Sequence, residues 1–205
     1  MMKLNSELRQ QAYGALGGNW GQAAIITLVY GLLSGGCSTL TQHVHPSFGI
    51  ISLLLIPLGY GFTVLFLDML RGLKLDFGRL FDGYKDFGRI FGTGLLVGIY
   101  TFLWMLLLII PGIIKSYSYS MTSYILKDYP ELQYNAAIEK SMAMMSGYKM
   151  KLFLMDLSFI GWAILCCLTL GIGFLFLGPY IETSHAAFYE ELRKEVGETI
   201  EVIAE

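Results

Sequence analysis

The sequence predicts an all-α, polytopic membrane protein in which about six transmembrane helices form three hairpins, each preceded by an amphipathic interfacial helix. Hydrophobic residues make up 55% of the 205 residues and charged residues only 15%, whereas soluble domains carry about 25% charged residues. Residues 10–67, 90–114 and 157–181 contain no Asp, Glu, Lys or Arg. Since one crossing needs about 20 apolar residues, the first segment has room for two crossings and the others for at least one each.

The distribution of lysine and arginine favours hairpins over single crossings. If each of the two shorter segments crossed once, the protein would have four spans. Residues 115–151, which carry five lysines, would then lie outside. That arrangement contradicts the excess of Lys and Arg in cytoplasmic loops.

Six spans follow if the chain turns at Pro111-Gly112 and at residues 170–173, where helix-stopping residues stand together. The predicted spans are 20–40, 48–70, 90–110, 112–127, 151–169 and 172–189. The N-terminus, residues 71–89, residues 128–150 and the C-terminal tail would face the cytoplasm. They contain 11 of the 14 Lys and Arg, Lys127 and Lys151 stand at the adjoining cytoplasmic ends of predicted spans, and only Lys115 lies towards the outside. A five-span topology, in which residues 157–181 cross once, remains the alternative.

A repeated triplet supports three hairpin units. Gly18-Asn19-Trp20, Gly83-Tyr84-Lys85 and Gly147-Tyr148-Lys149 each end an amphipathic stretch and open an apolar one. The apolar positions that follow helical spacing in these stretches are Leu4, Leu8, Ala12 and Ala15, then Phe77, Leu80, Phe81 and Tyr84, and finally Ile138, Met142, Met145 and Tyr148. We therefore predict one integral membrane domain over residues 1–205, with repeats at 3–70, 75–127 and 131–190 and a short acidic cytoplasmic tail at 190–205.

An ordered set of local strings gives the chain a family resemblance. The strings are Ile110-Pro111-Gly112-Ile113-Ile114, residues 125–130, residues 141–145 with Gly147 and Lys149, residues 158–162, Gly178-Pro179-Tyr180 and Ala187-Phe188-Tyr189. In this order the chain resembles, over about residues 3–195, the bacterial integral-membrane family called domain of unknown function 975 (DUF975). The resemblance implies a helical protein of the plasma membrane. It implies no activity, so no catalytic residues are carried over from the family.

Glu182 is the main candidate for a functional residue. In the six-span topology it lies near the middle of the last span, where an ionised carboxylate is unfavourable and commonly marks a functional site. The candidate partners and lining residues of a polar central cavity or ion pathway are His185, Tyr180, Tyr60, Tyr117, Tyr119 and Lys115. The alternative interpretation is a hydrogen-bonded carboxyl group that holds helices together. In the five-span topology Glu182 would lie at a membrane surface.

Helix-breaking residues stand at matching places in the second helix of each hairpin. Pro57 interrupts the predicted second span and Pro179 the sixth, and residues 116–120 are the most polar part of any span. Interrupted helices in matching positions are typical of transporter binding sites. Two charged pairs close in sequence, Asp68 with Arg71 and Asp128 with Lys127, are predicted to anchor the cytoplasmic helix ends.

The remaining observations narrow the function. The chain has no HExxH, GxSxG or GxxxxGK[ST] motif and no metal-ligand spacing, and its net charge is −2, so we expect no catalytic residues, metal, cofactor or nucleic-acid partner. We predict a non-enzymatic scaffold, accessory or regulatory component of the bacterial plasma membrane, with both termini in the cytoplasm. Its partners would be the lipid bilayer and other membrane proteins, reached through the interfacial helices and the acidic tail. The alternative is a small transporter or channel with a polar cavity around Glu182.

Overall fold

Every regular element is a helix in the computed structural model, which describes residues 2–43 and 53–204 and the side chains of residues 2–36 and 53–197. The elements are α1 (Asn5–Leu16), α2 (Trp20–His43), α3 (Ile56–Leu70), a 3-10 helix (Phe77–Tyr84), α4 (Phe87–Leu107), α5 (Ile109–Tyr119), α6 (Thr122–Asp128), α7 (Asn135–Met144), α8 (Lys149–Leu157), α9 (Ile160–Leu168) and α10 (Phe174–Ala204). The predicted all-α class is confirmed. The first predicted outer turn and the last side chains of the acidic tail lie outside the described residues.

The helices α4 and α5 form a tight hairpin whose turn lies at Leu108, where the backbone is extended (φ −157°, ψ 134°). The turn therefore comes earlier than the predicted break at Pro111 and Gly112. Pro111 lies in the first turn of α5, whose N–H groups have no partner within the helix in any case. Gly112 allows the close approach of the two helices, since a Cβ atom there would lie 2.6 Å from the Met105 side chain.

The chain also turns at residues 169–173, between α9 and α10, as the sequence predicted. Leu170 and Gly171 have positive φ angles of 54° and 87°, and glycine reaches this left-handed conformation without strain. Residues 157–181 are thus divided between α9 and α10. The structure therefore has no single continuous helix over residues 157–181, the segment that crosses once in the five-span alternative.

The core lies where three helical segments meet: α3, the pair α5–α6, and α10, which are the second arms of the predicted hairpins. Helix α3 packs against both α6 and α10. Tyr124, Phe188 and Tyr189 are the largest side chains in this core, each at most 2% exposed, whereas Phe66 lies in a second apolar cluster that includes Ile26 and Leu80. Helix α1 packs along α10 at the periphery of the helix bundle and buries Leu8, Ala12 and Leu16. Leu4 was predicted on the same face of α1, but it is 66% exposed.

Two helical stretches are long and apolar enough to cross a membrane: Phe87–Leu107 and Lys149–Leu168. Only 11% of the most apolar part of the first stretch is buried, and only 22% of that of the second. These stretches therefore differ from the core helices of soluble proteins, which are mostly buried. Exposed apolar side chains concentrate around the two described hairpin turns, and Leu170 reaches 94% exposure. Exposed apolar side chains in such number favour association with a membrane.

The amphipathic stretch before the second hairpin forms a 3-10 helix, Phe77–Tyr84, rather than an α-helix. With about three residues per turn, Leu80 and Gly83 fall on one face and are buried against α3. The predicted apolar face is therefore divided, because Phe77, Phe81 and Tyr84 are 43%, 41% and 37% exposed. Before the third hairpin, α7 buries Ile138 and Met145, which were both predicted on its apolar face.

Gly61 permits the close packing of the 3-10 helix on α3, and its replacement provides a test of the fold. A Cβ atom at Gly61 would lie 2.0 Å from the carbonyl oxygen of Leu80, so the two backbones must separate. We expect Gly61→Ala to lower the free energy of unfolding by about 1.5 kcal/mol, measured by thermal unfolding of the detergent-purified chain. Gly98→Ala is the matched control, because no atom lies within 4 Å of that Cβ position. Equal effects of the two substitutions would contradict this packing.

Candidate functional site

Asp156 of α8 connects α5 and α10 through hydrogen bonds. Its Oδ1 atom lies 2.6 Å from Nε2 of His185 on α10. Its Oδ2 atom accepts a hydrogen bond of 2.9 Å from the Tyr117 hydroxyl on α5. The three side chains form a carboxylate–imidazole–phenol cluster between three helices, and such charge-assisted hydrogen bonds are stronger than neutral ones.

Glu182 lies one turn before His185 on α10 and extends this polar cluster towards α3. Its carboxyl group accepts a hydrogen bond from the Thr63 side chain, and the residue is half-buried. The hydroxyl of Tyr124 lies within electrostatic range of both Glu182 and Asp156. This hydroxyl is buried and has no hydrogen-bond partner among the described residues. The cluster can hold and share protons among two carboxyl groups and an imidazole.

The structure brings some of the predicted site residues together and separates the others. Glu182, His185 and Tyr117 belong to the Asp156 cluster described above. Tyr60 and Tyr119 instead line a separate cavity of about 90 Å³ between α3, α4 and α6. Glu182 is absent from the lining of this cavity, so the structure does not unite these residues in the predicted central cavity.

Tyr180 points away from the polar cluster into an aromatic group. Its ring makes an edge contact with Phe159 at a centroid distance of 5.3 Å and another with Tyr13 at 6.4 Å. It also lines an apolar cavity of about 340 Å³ with Trp20 and Trp162. Tyr180 therefore has a packing role here, in contrast to the predicted lining of an ion pathway.

Lys115 also lies away from Glu182. Its ammonium group lies 5.0 Å from the centre of the Trp104 ring. It lines a cavity of about 280 Å³ together with Glu139 of α7. The sequence placed Lys115 towards the outside, but the structure places it beside the amphipathic helix that opens the third unit.

The predicted helix breaks agree with the structure in two of the three arms. The predicted second span, 48–70, is broken at residues 54–55, and Pro57 lies in the first turn of the helix α3 that follows this break. In the middle arm, the helix is interrupted at Ser120 and Met121, between α5 and α6. In contrast, α10 continues through Pro179.

An ionic cluster joins the C-terminal ends of α3 and α6 to the middle of α10. Asp128, at the end of α6, accepts two hydrogen bonds of 2.6 and 2.7 Å from the Arg71 guanidinium at the end of α3. The same carboxylate accepts bonds from the Tyr189 hydroxyl at 2.9 Å and from Arg193 at 3.1 Å, both on α10. Arg71 and Arg193 also pair with Glu190 at 2.6 and 3.2 Å. This five-residue group is called the Asp128 cluster below.

The electrostatics of the Asp128 cluster favour the ionised carboxylate. Burial by itself would raise the pKa of Asp128, but hydrogen bonds from Arg71 and Tyr189 and the charges of Arg71 and Arg193 outweigh it and lower this pKa. The hydrogen bond to Asp128 raises the pKa of Arg71 above its ordinary value. Both groups are therefore charged throughout the neutral pH range.

Two carboxylates near the ends of α3 and α6 pair with cations other than the ones predicted from the sequence. Asp68, which was predicted beside Arg71, instead binds Arg79 at 2.7 Å and Lys127 at 3.1 Å. Asp128, predicted beside Lys127, binds Arg71. The exchange connects α3, α6 and the 3-10 helix to one another.

Asp156 is the member of the site that sequence reasoning missed. It borders the charge-free segment 157–181 and lies inside the predicted fifth span, 151–169, which was the available signal. In the part of the chain that the structure describes, no group of three His, Cys, Asp or Glu side chains is arranged to hold a metal ion.

Comparison with known proteins identifies a family. No curated protein and no solved structure matches the chain. Residues 105–196 match the model of the family described as Protein of unknown function (DUF975). The matched segment runs from the end of α4 to α10 and includes Tyr117, Asp156, Glu182 and His185. This match confirms the DUF975 family assignment inferred from the sequence on the segment 105–196, and residues 105–196 of this chain belong to that family.

Proposed function

We propose that this chain is a non-enzymatic, multi-pass protein of the bacterial plasma membrane that acts as a scaffold, accessory or regulatory component. The observation that carries the proposal is the Asp128 cluster, which ties the ends of α3 and α6 to the middle of α10. The exposed apolar side chains concentrate around the hairpin turns. Three hairpins that enter the bilayer from one side would produce this separation of charge from apolar surface.

The lengths of the arms support six crossings. At about 1.5 Å per residue, α4 is about 31 Å long, and the arm formed by α5 and α6 over residues 109–128 is about 30 Å long. The hydrocarbon core of a bilayer is about 30 Å thick. The shorter α3 begins at Ile56, and the remainder of its predicted span lies mainly outside the described residues.

The positive-inside tendency supports a cytoplasmic location for the charged end. Lys74, Arg79, Lys85 and Arg89 follow α3 or open α4, and Lys194 follows the Asp128 cluster on α10. The two termini would then lie in the cytoplasm, and the turns at Leu108 and at residues 169–173 would lie towards the opposite side. This orientation agrees with the six-span topology.

The side-chain contacts favour a scaffold over an enzyme or an open pathway. Asp156, His185 and Tyr117 hydrogen-bond to one another, and Glu182 binds Thr63, so the polar groups of the core hold helices together. Polar residues commonly have this role between membrane helices. The surface left for partners is the charged end around the Asp128 cluster, together with the acidic tail.

One observation favours the alternative, a small transporter or channel around Glu182. The Tyr124 hydroxyl is buried and unpartnered among the described residues, near two carboxyl groups. A buried polar group of this kind is normally satisfied by a partner or an ordered water. Water at this position would be the beginning of a hydrated pathway past Glu182.

Thiol labelling in intact cells tests the topology and separates the two functions. Cys37, Cys166 and Cys167 are first replaced by alanine, and single cysteines are then introduced through His45→Cys, Lys194→Cys or Glu182→Cys. A small, charged, membrane-impermeant thiol reagent is applied before and after permeabilisation. We expect labelling of intact cells at position 45, labelling only after permeabilisation at position 194, and no labelling at position 182.

The other outcomes are equally informative. Labelling of position 182 with the expected topology would show a hydrated pathway and make transport the better proposal. Labelling of position 194 in intact cells would contradict the placement of the third hairpin. The Glu182→Cys variant also removes a hydrogen-bonded carboxyl group, so Thr183→Cys, at a fully buried neighbour on α10, serves as the matched control for access to this depth.

A further inference from the structure

An aromatic cavity of about 340 Å³ lies between α1, the start of α2, α9 and α10. Five aromatic side chains line it: Tyr13, Trp20, Trp162, Phe176 and Tyr180. Small-molecule sites in proteins typically have volumes of about 300–1,000 Å³ and are lined mainly by apolar and aromatic side chains with a few polar groups. The cavity therefore has the size and the walls of a binding site for an apolar ligand.

Contacts between distant parts of the chain hold the walls of this cavity in place. The Asn5 amide on α1 donates a hydrogen bond of 2.9 Å to the carbonyl oxygen of Lys151 on α8. The Tyr13 ring lies 5.6 Å from the Trp20 ring and 6.4 Å from the Tyr180 ring, measured between ring centres. Because these rings support one another, the cavity exists before any ligand enters it.

The mouth of the cavity lies on the surface that would face lipid. Tyr13 and Trp162 are 61% and 56% exposed. Leu154, Leu157 and Ile160, which precede Trp162 along α8 and α9, are 48–51% exposed. In the proposed topology these apolar side chains lead away from the turn at residues 169–173. A hydrocarbon tail that leaves the cavity past Trp162 can therefore stay within the bilayer.

The cavity offers hydrogen-bond donors and lacks matching acceptors. The hydroxyls of Tyr13 and Tyr180 and the indole N–H groups of Trp20 and Trp162 form no hydrogen bond with any described residue. The described lining includes no carboxylate or amide side chain. Phenol and indole groups away from water normally have a partner, and hydrocarbon supplies none. A ligand that satisfies these donors must carry oxygen acceptors.

Arg9 adds a positive charge beside this cavity. The centre of its guanidinium lies 5.9 Å from the centre of the Phe159 ring, which lies 5.3 Å from the Tyr180 ring. In the part of the chain that the structure describes, Arg9 forms no ion pair, and its buried Nε atom has no hydrogen-bond partner. The charge disfavours the quaternary ammonium ligands that aromatic cages bind, and it favours electron-rich carbonyl oxygens.

We propose that this cavity binds the ring of a membrane-soluble para-quinone. The quinone ring is flat and uncharged, so it stacks against the aromatic walls and tolerates a position inside the bilayer. Its two carbonyl oxygens accept hydrogen bonds from the phenol and indole donors, and its isoprenoid tail follows α9 and α8 into the lipid. The inference rests on the proposed membrane location and adds a ligand to it.

Tryptophan fluorescence of the detergent-purified full chain tests this proposal. The chain has three tryptophans, and Trp104→Phe leaves only Trp20 and Trp162, which both line the cavity. This variant is titrated with a dimethylnaphthoquinone, which carries the ring without a tail. We expect quenching that saturates with quinone concentration. In the converse variant, in which Trp20→Phe and Trp162→Phe leave Trp104 as the reporter, the saturable part should be lost.

Two further variants of the Trp104→Phe chain test the recognition of the carbonyl oxygens. Tyr13→Phe combined with Tyr180→Phe keeps both rings and removes two donors. We expect this pair to weaken binding about tenfold, as for the loss of two neutral hydrogen bonds. Tyr148→Phe is the matched control, because Tyr148 lies outside the cavity, and it should leave the affinity unchanged.

Three results would overturn the proposal. Quenching that rises linearly with quinone and never saturates would show only collisions within the micelle. Equal affinity of the Trp104→Phe chain with and without the two Tyr→Phe changes would contradict recognition of the carbonyl oxygens. Displacement of the quinone by an equal concentration of hexadecane or phosphatidylglycerol would identify a general site for hydrocarbon chains.

Failure of this proposal can be distinguished from failure of the proposed function. Carbonate extraction of cell membranes tests whether the chain is integral to the membrane, independently of any ligand. A chain that remains in the membrane fraction and shows no saturable quenching contradicts only the quinone site. A chain that is extracted contradicts the membrane location and, with it, the site.

Discussion

Replacing Asp128 by alanine should lower the free energy of unfolding by about 3 kcal/mol, which is the range observed when one partner of a buried ion pair is removed. The Asp128 side chain is 8% exposed and accepts hydrogen bonds from Arg71, Tyr189 and Arg193. Its loss leaves two guanidinium groups sharing the Glu190 carboxylate. The effect is measured by heating the detergent-purified protein and using size-exclusion chromatography to determine how much folded protein remains at each temperature.

The matched control is Asp82→Ala. Asp82 pairs with Lys85 at 2.7 Å, but the Lys85 side chain is 80% exposed. Exposed pairs contribute about 0–1 kcal/mol, so this variant should resemble the parent chain. If Asp128→Ala were no more destabilising than Asp82→Ala, the Asp128 cluster would not be what holds α3, α6 and α10 together.

The pH dependence of stability provides an independent measurement on the same group. Because the pKa of Asp128 is lowered in the folded chain from its ordinary value of 3.8, its contribution is fully present above that value and is lost as the pH falls through the folded pKa. Acid should therefore destabilise the parent chain below about pH 4. The Asp128→Ala variant should show a weaker decline over this interval, since the group that titrates is absent.

The sequence predicted one hairpin turn at its observed position and misplaced another, and the physical reasons differ. Residues 169–173 contain two glycines, one of which adopts a positive φ, so local chemistry specifies this turn. The turn at Leu108 has no local signature, because leucine favours neither turns nor extended backbone. Its position depends on the contact between Gly112 and Met105, a tertiary contact that is absent from any local pattern.

The candidate site was predictable in part. The position of Glu182 near the middle of the predicted sixth span, 172–189, and its spacing from His185 indicated two members of the polar cluster. Asp156 was missed because it lies near the start of the predicted fifth span, 151–169, where charges commonly only anchor a helix end. Its partnership with His185 and Tyr117 depends on how three helices pack, and helix packing is not encoded in the spacing of residues within one helix.

Asp156→Ala should be the second strongly destabilising substitution, lowering the free energy of unfolding by about 2.5 kcal/mol. Removal of the carboxylate leaves the Tyr117 hydroxyl and the His185 ring without their partner, and each unsatisfied group in a protein interior costs about 1–3 kcal/mol. The expected loss is near the low end of the sum for the two groups, because the Asp156 and His185 side chains are 29% and 25% exposed and water can partly replace the lost partner. Unfolding of the purified chain in detergent at neutral pH measures the loss.

A double-mutant cycle with Tyr117→Phe separates the hydrogen bond from other effects of the substitution. Tyr117→Phe removes the donor and the need for a partner together, so we expect a loss of only about 1 kcal/mol. If the 2.9 Å contact between the phenol and Asp156 stabilises the fold, the double variant should be more stable than the sum of the single effects indicates. Additive effects would show that water already solvates the Asp156 carboxylate.

The two outcomes of this cycle favour different functions. A solvated carboxylate at this position means a hydrated interior next to Glu182, so additive effects would favour the transport alternative. Strong coupling between Tyr117 and Asp156 would favour a packed scaffold.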